Sequence, residues 1–385
     1  MGSVWDDLVG QHRAIDALRR AADGHGMTHA WLFTGPPGSG RSNAATAFAA
    51  ALQCDAEVPG CGVCKGCHTT LKGSHADVTV VRTEKLSIGV DEVRDLVRRA
   101  ALAPVGRRWQ IMVVEDADRL TEQACNALLK AIEEPTGRMV WMLCAPTVED
   151  VLPTIRSRTR LVSLTTPTAR DVADFLVRSD GVPAELAAYA ARASQGHIGR
   201  ARALARDEDV RERREQVVAV PTALTSLGAC LAAATALAET SKAEADAITS
   251  ALDARERQDL AEAHGVVERG RRPREYAPAL AALERNQKTR AKRRHLDVVD
   301  RALMDLASVY RDAIAVAAGA PGDLVNEGRR HEVTKLADGS SAELNLRRIG
   351  WIFEAREQML EFNVPVALAL ESMMVALKLP DGARR

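Results

Sequence analysis

Aromatic side chains are scarce: five Trp, five Phe and three Tyr in 385 residues, 3% of the chain. A core with so few large rings must be closed by aliphatic and small residues, and the abundant alanine points the same way, to closely packed helices. Net charge is missing as well, since 52 Lys and Arg balance 52 Asp and Glu. That excludes a chain whose whole surface wraps nucleic acid, while leaving room for local basic patches. No apolar run approaches the roughly 18 residues of a membrane span, and residues 1–7 lack the basic-then-apolar layout of an export signal. A cytoplasmic protein without membrane contact is expected. The 46% hydrophobic and 27% charged content is that of a folded chain, and its length suggests two or three domains.

Up to about residue 165, apolar β-rich runs at 29–34, 78–82, 110–115, 139–145 and 160–164 alternate with helix-length segments. The runs are continuous rather than alternating, as in strands covered on both faces of a parallel sheet. An α/β module is therefore expected over 1–166. Beyond Thr166-Pro167-Thr168 the strand signal stops, and 167–207, broken at Gly181, Pro183 and Gly196, reads as a small helical subdomain. Residues 208–385 read as an all-helical domain, with loops expected at 269–273, 318–323 and 338–341.

The first run enters Gly35-Pro36-Pro37-Gly38-Ser39-Gly40-Arg41-Ser42, with a helix expected over 43–52. Strand, glycine turn and helix N-terminus together make a phosphate cradle, because glycines let backbone amides converge on an anion that the helix dipole also favours. A tight turn without a ligand is the alternative. The lysine usual before the Ser/Thr is Arg41, longer and forked, which keeps the charge but misplaces it. The run over 110–115 ends in Glu115-Asp116, where a Mg²⁺-facing acid and a water-orienting acid usually stand as Asp-Glu. The reversal misfits both roles by one methylene, and a purely structural acidic strand end explains the pair equally well. Nucleotide binding is thus compatible with the pattern, and fast hydrolysis is not.

Cys54, Cys61, Cys64 and Cys67 form a C-x6-C-x2-C-x2-C cluster. Four thiolates at these spacings match a closed tetrahedral Zn²⁺ site, with disulfides or free thiols as the alternatives. His68 and His75 are spare candidates, and Cys125, Cys144 and Cys230 read as small buried apolar residues. Arg158 follows a short segment at the sheet's rim, where it is either a surface charge or a group able to reach a phosphate on a neighbouring subunit. The basic runs at 269–274 and 285–294 carry no interleaved aromatics, so a solvated helix face explains them better than nucleic-acid contact.

Taken together, several segments resemble the delta prime family of bacterial DNA polymerase III clamp-loader subunits, which are AAA+ proteins. They are Val4-Trp5-Asp6-Asp7-Leu8-Val9-Gly10-Gln11, the run from His29 through Gly38, the cysteine cluster, Asn126-Ala127-Leu128-Leu129-Lys130-Ala131-Ile132-Glu133-Glu134-Pro135, residues 152–158, and Asn363-Val364-Pro365-Val366-Ala367-Leu368-Ala369-Leu370-Glu371. Ser157-Arg158-Thr159 is similar to the family's Ser-Arg-Cys motif, with Thr159 in place of Cys. The resemblance implies a RecA-like AAA+ module with a zinc insertion at about 54–67, a helical lid and a helical collar for oligomerisation. It implies gamma/tau and delta subunits as partners, the sliding beta clamp and primer–template DNA met through the complex, and Zn²⁺ with ATP or ADP and Mg²⁺ as ligands. Arg158 then corresponds to an arginine finger acting on the adjacent subunit, while the chain's own ATPase is expected to be weak or absent. Residues 194–200 resemble a sensor-2 segment with its arginine displaced by one, and Thr147 is the nearest sensor-1 candidate. An autonomous gamma/tau-type ATPase and a zinc-stabilised DNA-binding protein are the competing readings.

Overall fold

The computed structural model describes residues 2–83, 87–106, 108–135, 137–266, 273–320 and 322–379. It divides into two compact units, Met1–Arg206 and Asp207–Arg385. The first begins with α1 (His12–Ala22), β1 (Ala30–Thr34), α2 (Arg41–Leu52), α3 (Lys65–Leu71), β2 (Val78–Val81) and α4 (Val90–Ala100). It continues through β3 (Gln110–Val114), α5 (Glu122–Glu133), β4 (Met139–Ala145), the single turn α6 (Pro153–Arg156) and β5 (Arg160–Ser163).

All five strands are parallel, in the order β2-β3-β4-β1-β5. Burial explains which strands lie inside. Every residue of β1, β3 and β4 is buried, whereas β2 and β5 carry exposed positions and form the edges. The two-residue period sorts the side chains between two cores. Trp31, Phe33, Ile111, Val113, Val140 and Met142 join α1 and α2 on one face. Leu32, Met112, Val114, Trp141 and Leu143 join α4 and α5 on the other. Eight of the twelve residues of α2 are buried, six of them alanines, so this helix can lie directly against the sheet. It begins at Arg41, two residues before the expected start, because Gly40 rather than Ser42 provides its N-cap.

Three further helices, α7 (Ala169–Asp180), α8 (Ala184–Ser194) and α9 (Ile198–Arg206), complete this unit. Thr168 and Asp171 form a reciprocal capping box that starts α7, and Gly181 in the left-handed region ends it. Phe175 of α7 and Ile198 of α9 bury together with Val9.

The described residues of the second unit form helices and no strand: α10 (Glu208–Ala223), α11 (Leu227–Ala263), α12 (Tyr276–Ala317), α13 (Arg330–Asp338), α14 (Ala342–Leu360) and α15 (Val366–Lys378). Leu303, Leu306, Tyr310, Ile352, Leu370 and Met374 form its core. The 37 residues of α11 and 42 of α12 give helices of about 55 and 63 Å at 1.5 Å per residue. Loops also fall near 224–226 and 361–365, which the periodicity did not mark. Most of the loop expected at 269–273 lies outside the described residues. Among the described residues, no helix is long and apolar enough to cross a membrane.

Candidate functional site

The glycine turn joins the end of β1 to the N-terminus of α2, the context its sequence requires. Gly35 N donates to the Pro146 carbonyl at 3.1 Å, tying the turn to the end of β4. Gly40 caps α2 with φ of 90° and no side-chain cap, so no side chain claims the amides at this helix start. Ser39 Oγ is buried and has no hydrogen-bond partner among the described residues. An orphaned hydroxyl inside a glycine turn at a helix N-terminus fits a phosphate oxygen. Pro36 and Pro37 are exposed on the outer curve, and Ser42 is half-buried in the first turn of the helix.

Two contacts narrow that cradle. The Arg41 guanidinium folds back and its Nη1 donates to the Gly35 carbonyl at 2.7 Å. Gly38, with φ of 84°, lies so close to His197 that an added Cβ would stand 2.4 to 2.6 Å from its Cγ, Cβ and Cα. The turn before α9 therefore sits directly on the glycine turn, and only glycine permits that approach. Gln11 locks the same region, donating from Nε2 to the Thr165 carbonyl at 2.7 Å and accepting from Thr165 N at 3.1 Å.

At the end of β3 the acids are already engaged. Glu115 is held at both oxygens by Arg82, just beyond β2, at 2.6 Å from Nε and 3.1 Å from Nη2. Glu115 is 10% exposed and Arg82 70%. Asp116 lies 3.9 Å from Arg119 Nε. Burial pushes the carboxyl of Asp118 up; its own backbone amide opposes this, the Asp116 charge adds to it, and Arg119 and Arg41 oppose it more weakly. The cradle thus fits a phosphate, whereas Glu115, neutralised by a fork of two charge-assisted hydrogen bonds, does not fit a Mg²⁺ partner. Thr147, the sensor-1 candidate, is exposed and hydrogen-bonds Asp150 through both N and Oγ1, at 2.8 and 2.9 Å.

Cys54, Cys61, Cys64 and Cys67 come together, with all four sulfurs within 4.8 Å of one another. The Cys54 and Cys64 sulfurs are 3.8 Å apart, the separation of about 3.8 Å that tetrahedral geometry gives for metal–sulfur bonds of about 2.3 Å. Cys64 N points at Cys61 Sγ and Cys67 N at Cys64 Sγ, both at 3.4 Å, so the amides that would support thiolates are in place. Burial opposes ionisation of Cys54, yet the amides of Cys61, Ala56 and Gly60 and the Cys67 side chain bring its thiol down to about 6. Burial pushes the Cys67 thiol up. This donor set could hold a metal ion. His68 and His75 stand outside the group; His75 Nδ1 instead accepts from Asp77 N at 3.1 Å. The loop is pinned from the N-terminus, where Val4 N and Ser3 Oγ both donate to the Gly60 carbonyl. Cys125, Cys144 and Cys230 are buried, as expected.

Arg158 is separate from the glycine turn. Its Nε stands 2.7 Å from Glu133 Oε1, and the side chain remains 42% exposed. Its Nη1 donates to the Thr154 carbonyl at 2.9 Å and to Ser157 Oγ at 3.1 Å.

Comparison with known proteins bears on the first unit. The family model for the DNA polymerase III delta subunit matches residues 10–168. This stretch is similar to that family, and the match covers less than half of the chain. The DNA polymerase III subunit gamma/tau of Mycobacterium tuberculosis is 38% identical over 157 residues, 40% of this chain and 27% of that protein. The delta' subunit of Pseudomonas aeruginosa is 37% identical over 196 residues, 49% of this chain and 59% of that protein. The matches therefore span between about a quarter and three-fifths of these relatives' own lengths. A DNA polymerase III gamma subunit-related protein from Thermotoga maritima aligns with 94% of this chain and 98% of its own at a TM-score of 0.45 and 17% identity.

Within this first unit, the residues that sequence reasoning missed are those that occupy the site. Arg82 was the last residue of an expected strand, and its meeting with Glu115 follows only from the pairing of β2 with β3, Val81 opposite Val114. Glu133 stands in a motif that assigns it no partner, and His197 lies within the sensor-like segment at 194–200. The basic run at 285–294 needs correction. It is not a uniformly solvated face, because Gln287 and Arg290 are buried against α11. Arg290 pairs with Glu256, at 2.9 Å from Nη1 and 2.5 Å from Nη2, and with Asp253. The residues of the 269–274 run up to 272 lie outside the described residues.

Proposed function

We propose that this chain is a delta prime subunit of the DNA polymerase III clamp loader, a positional component whose own nucleotide site is impaired and whose Arg158 acts on the ATP site of the adjacent subunit. The observation that carries this reading is the capture of Glu115 by Arg82. A strand-end acid closed off by a guanidinium is a poor Mg²⁺ partner, and Arg41 folded onto Gly35 adds to the impairment. Arg158, by contrast, is exposed at the rim, where it pairs with the half-exposed Glu133.

The same reading takes residues 1–166 as the AAA+ module, 167–207 as its lid and 208–385 as the collar, in the cytoplasm. Gamma/tau and delta are the direct partners, and the beta clamp and primed DNA are met through the complex. Leu346, Phe353 and Leu360, seven residues apart on α14 and 63%, 45% and 40% exposed, support assembly. An uncovered apolar stripe at heptad spacing suits a helix of another subunit. Four sulfurs leave no open coordination position, so the metal is assigned as structural Zn²⁺.

The 38% identity to a gamma/tau subunit favours a second reading, an autonomous ATPase. One experiment separates the two. In a complex reconstituted with gamma/tau and delta, Arg158→Ala is expected to lower ATP turnover with assembly intact, and the isolated chain to turn over little ATP. Unchanged turnover in the variant complex, or brisk hydrolysis by the isolated chain, rejects the stator reading.

A further inference from the structure

We propose that Glu133 is a positioning residue for Arg158; the inference rests on the reading of Arg158 as a group acting across a subunit boundary. The guanidinium is held at two of its three nitrogens. Nε lies 2.7 Å from the Glu133 carboxylate, and Nη1 bonds the Thr154 carbonyl and Ser157 Oγ. Nη2 makes no hydrogen bond among the described residues, so its two N–H groups remain for an external anion. A planar group held at Nε and Nη1 presents its Nη2 donors without searching rotamers, which is how a preorganised group stabilises charge developing in a transition state.

Both sides of the grip are anchored in the sheet's core. Glu133 ends α5, whose Leu128 and Ile132 are buried, and Arg158 follows α6, whose Ile155 is fully buried. Glu133 also breaks a local rule. A carboxylate in the last turn of a helix faces the negative end of the dipole, and a second carboxylate, Glu134, follows it. Side chains kept against local preference mark positions selected for something other than helix stability. The pair itself is half-exposed and contributes little to folding. Orientation of the arginine is the role left for it.

The test uses the reconstituted complex with gamma/tau and delta, reading steady-state ATP turnover, KM for ATP, assembly by gel filtration, and thermal unfolding. Glu133→Ala is expected to lower kcat several-fold, less than Arg158→Ala does, with KM, assembly and melting unchanged. In the Arg158→Ala background, Glu133→Ala is expected to have no further effect, because it works only through the arginine. A loss that persists in that background, a kcat equal to wild type, or a raised kcat overturns the positioning role while the reading of Arg158 stands. If Arg158→Ala itself changes nothing, both fall together.

Discussion

The capture of Glu115 by Arg82 makes a quantitative prediction about Mg²⁺. Arg82 holds Glu115 through two charge-assisted hydrogen bonds. Such bonds contribute about 1.5–3 kcal/mol when shielded, but Arg82 is 70% exposed, which reduces the net value to about 1 kcal/mol. Freeing Glu115 by Arg82→Ala should therefore tighten Mg²⁺-dependent ATP binding about fivefold. Arg41→Lys, which releases the Gly35 carbonyl and presents a compact ammonium, is expected to tighten binding in the presence and absence of Mg²⁺ alike. Calorimetric titration of the wild type, each single variant and the double variant with ATP, in Mg²⁺ and in EDTA, separates the two contributions. The expected order in Mg²⁺ runs from wild type, weakest, to the double variant. A wild type that already binds Mg²⁺-ATP as tightly as the double variant, or an Arg82→Ala protein with weaker binding and an unchanged melt, would refute the argument.

Two further outcomes follow from geometry elsewhere. One Zn²⁺ per chain, with four sulfurs at about 2.3 Å by X-ray absorption, is expected at the cysteine loop; chelation or Cys67→Ser should open residues 54–67 to protease and lower the melting temperature of the first unit, and a metal-free protein with an intact loop would contradict this. In the second unit, the Arg290 hydrogen bonds lower the Glu256 pKa despite some opposition from burial, with Gln287 and the Arg290 charge adding to the effect. A carboxylate lowered in the folded state stabilises above its unfolded value of about 4.3 and loses that contribution as pH falls through the folded one. Arg290→Ala should therefore cost about 2–3 kcal/mol at pH 7 in urea unfolding, and the gap should shrink below about pH 4; a gap of constant size down to pH 3 would show that the ion pairs are not its cause.

The sheet was legible because its central strands are buried on both faces and therefore read as unbroken apolar runs, as in Met139–Ala145. The glycine turn and the cysteine cluster were legible for a related reason: each is local, its residues lying within fourteen positions of one another. What escaped the sequence is pairwise and distant. Arg82 and Glu115 are 33 residues apart, and only the order β2-β3 makes them neighbours. Gln287 and Arg290 look like members of a basic stripe, yet they are three positions apart and so share one helical face, which here meets Asp253 and Glu256 of α11 at the same spacing. Composition cannot distinguish such a grip from a solvated face, because it does not say which helix is opposite.

These contacts also bear on whether the first unit can behave as a switch. A ligand moves a two-state element only by the difference in its affinity for the two states. The elements that would report a bound nucleotide are already committed without one: Glu115 to Arg82, Arg41 to Gly35, and the turn at His197 to Gly38. Moving them on binding would require breaking these contacts, which reduces the free energy available to drive any movement of α7–α9. Arg158, in contrast, is anchored to core-packed elements and not to the glycine turn, so its orientation does not depend on occupancy of the chain's own site. On the reading proposed above, the conformational cycle of the complex must then be driven by the neighbouring ATP sites, with this chain supplying a surface whose geometry stays constant through the cycle.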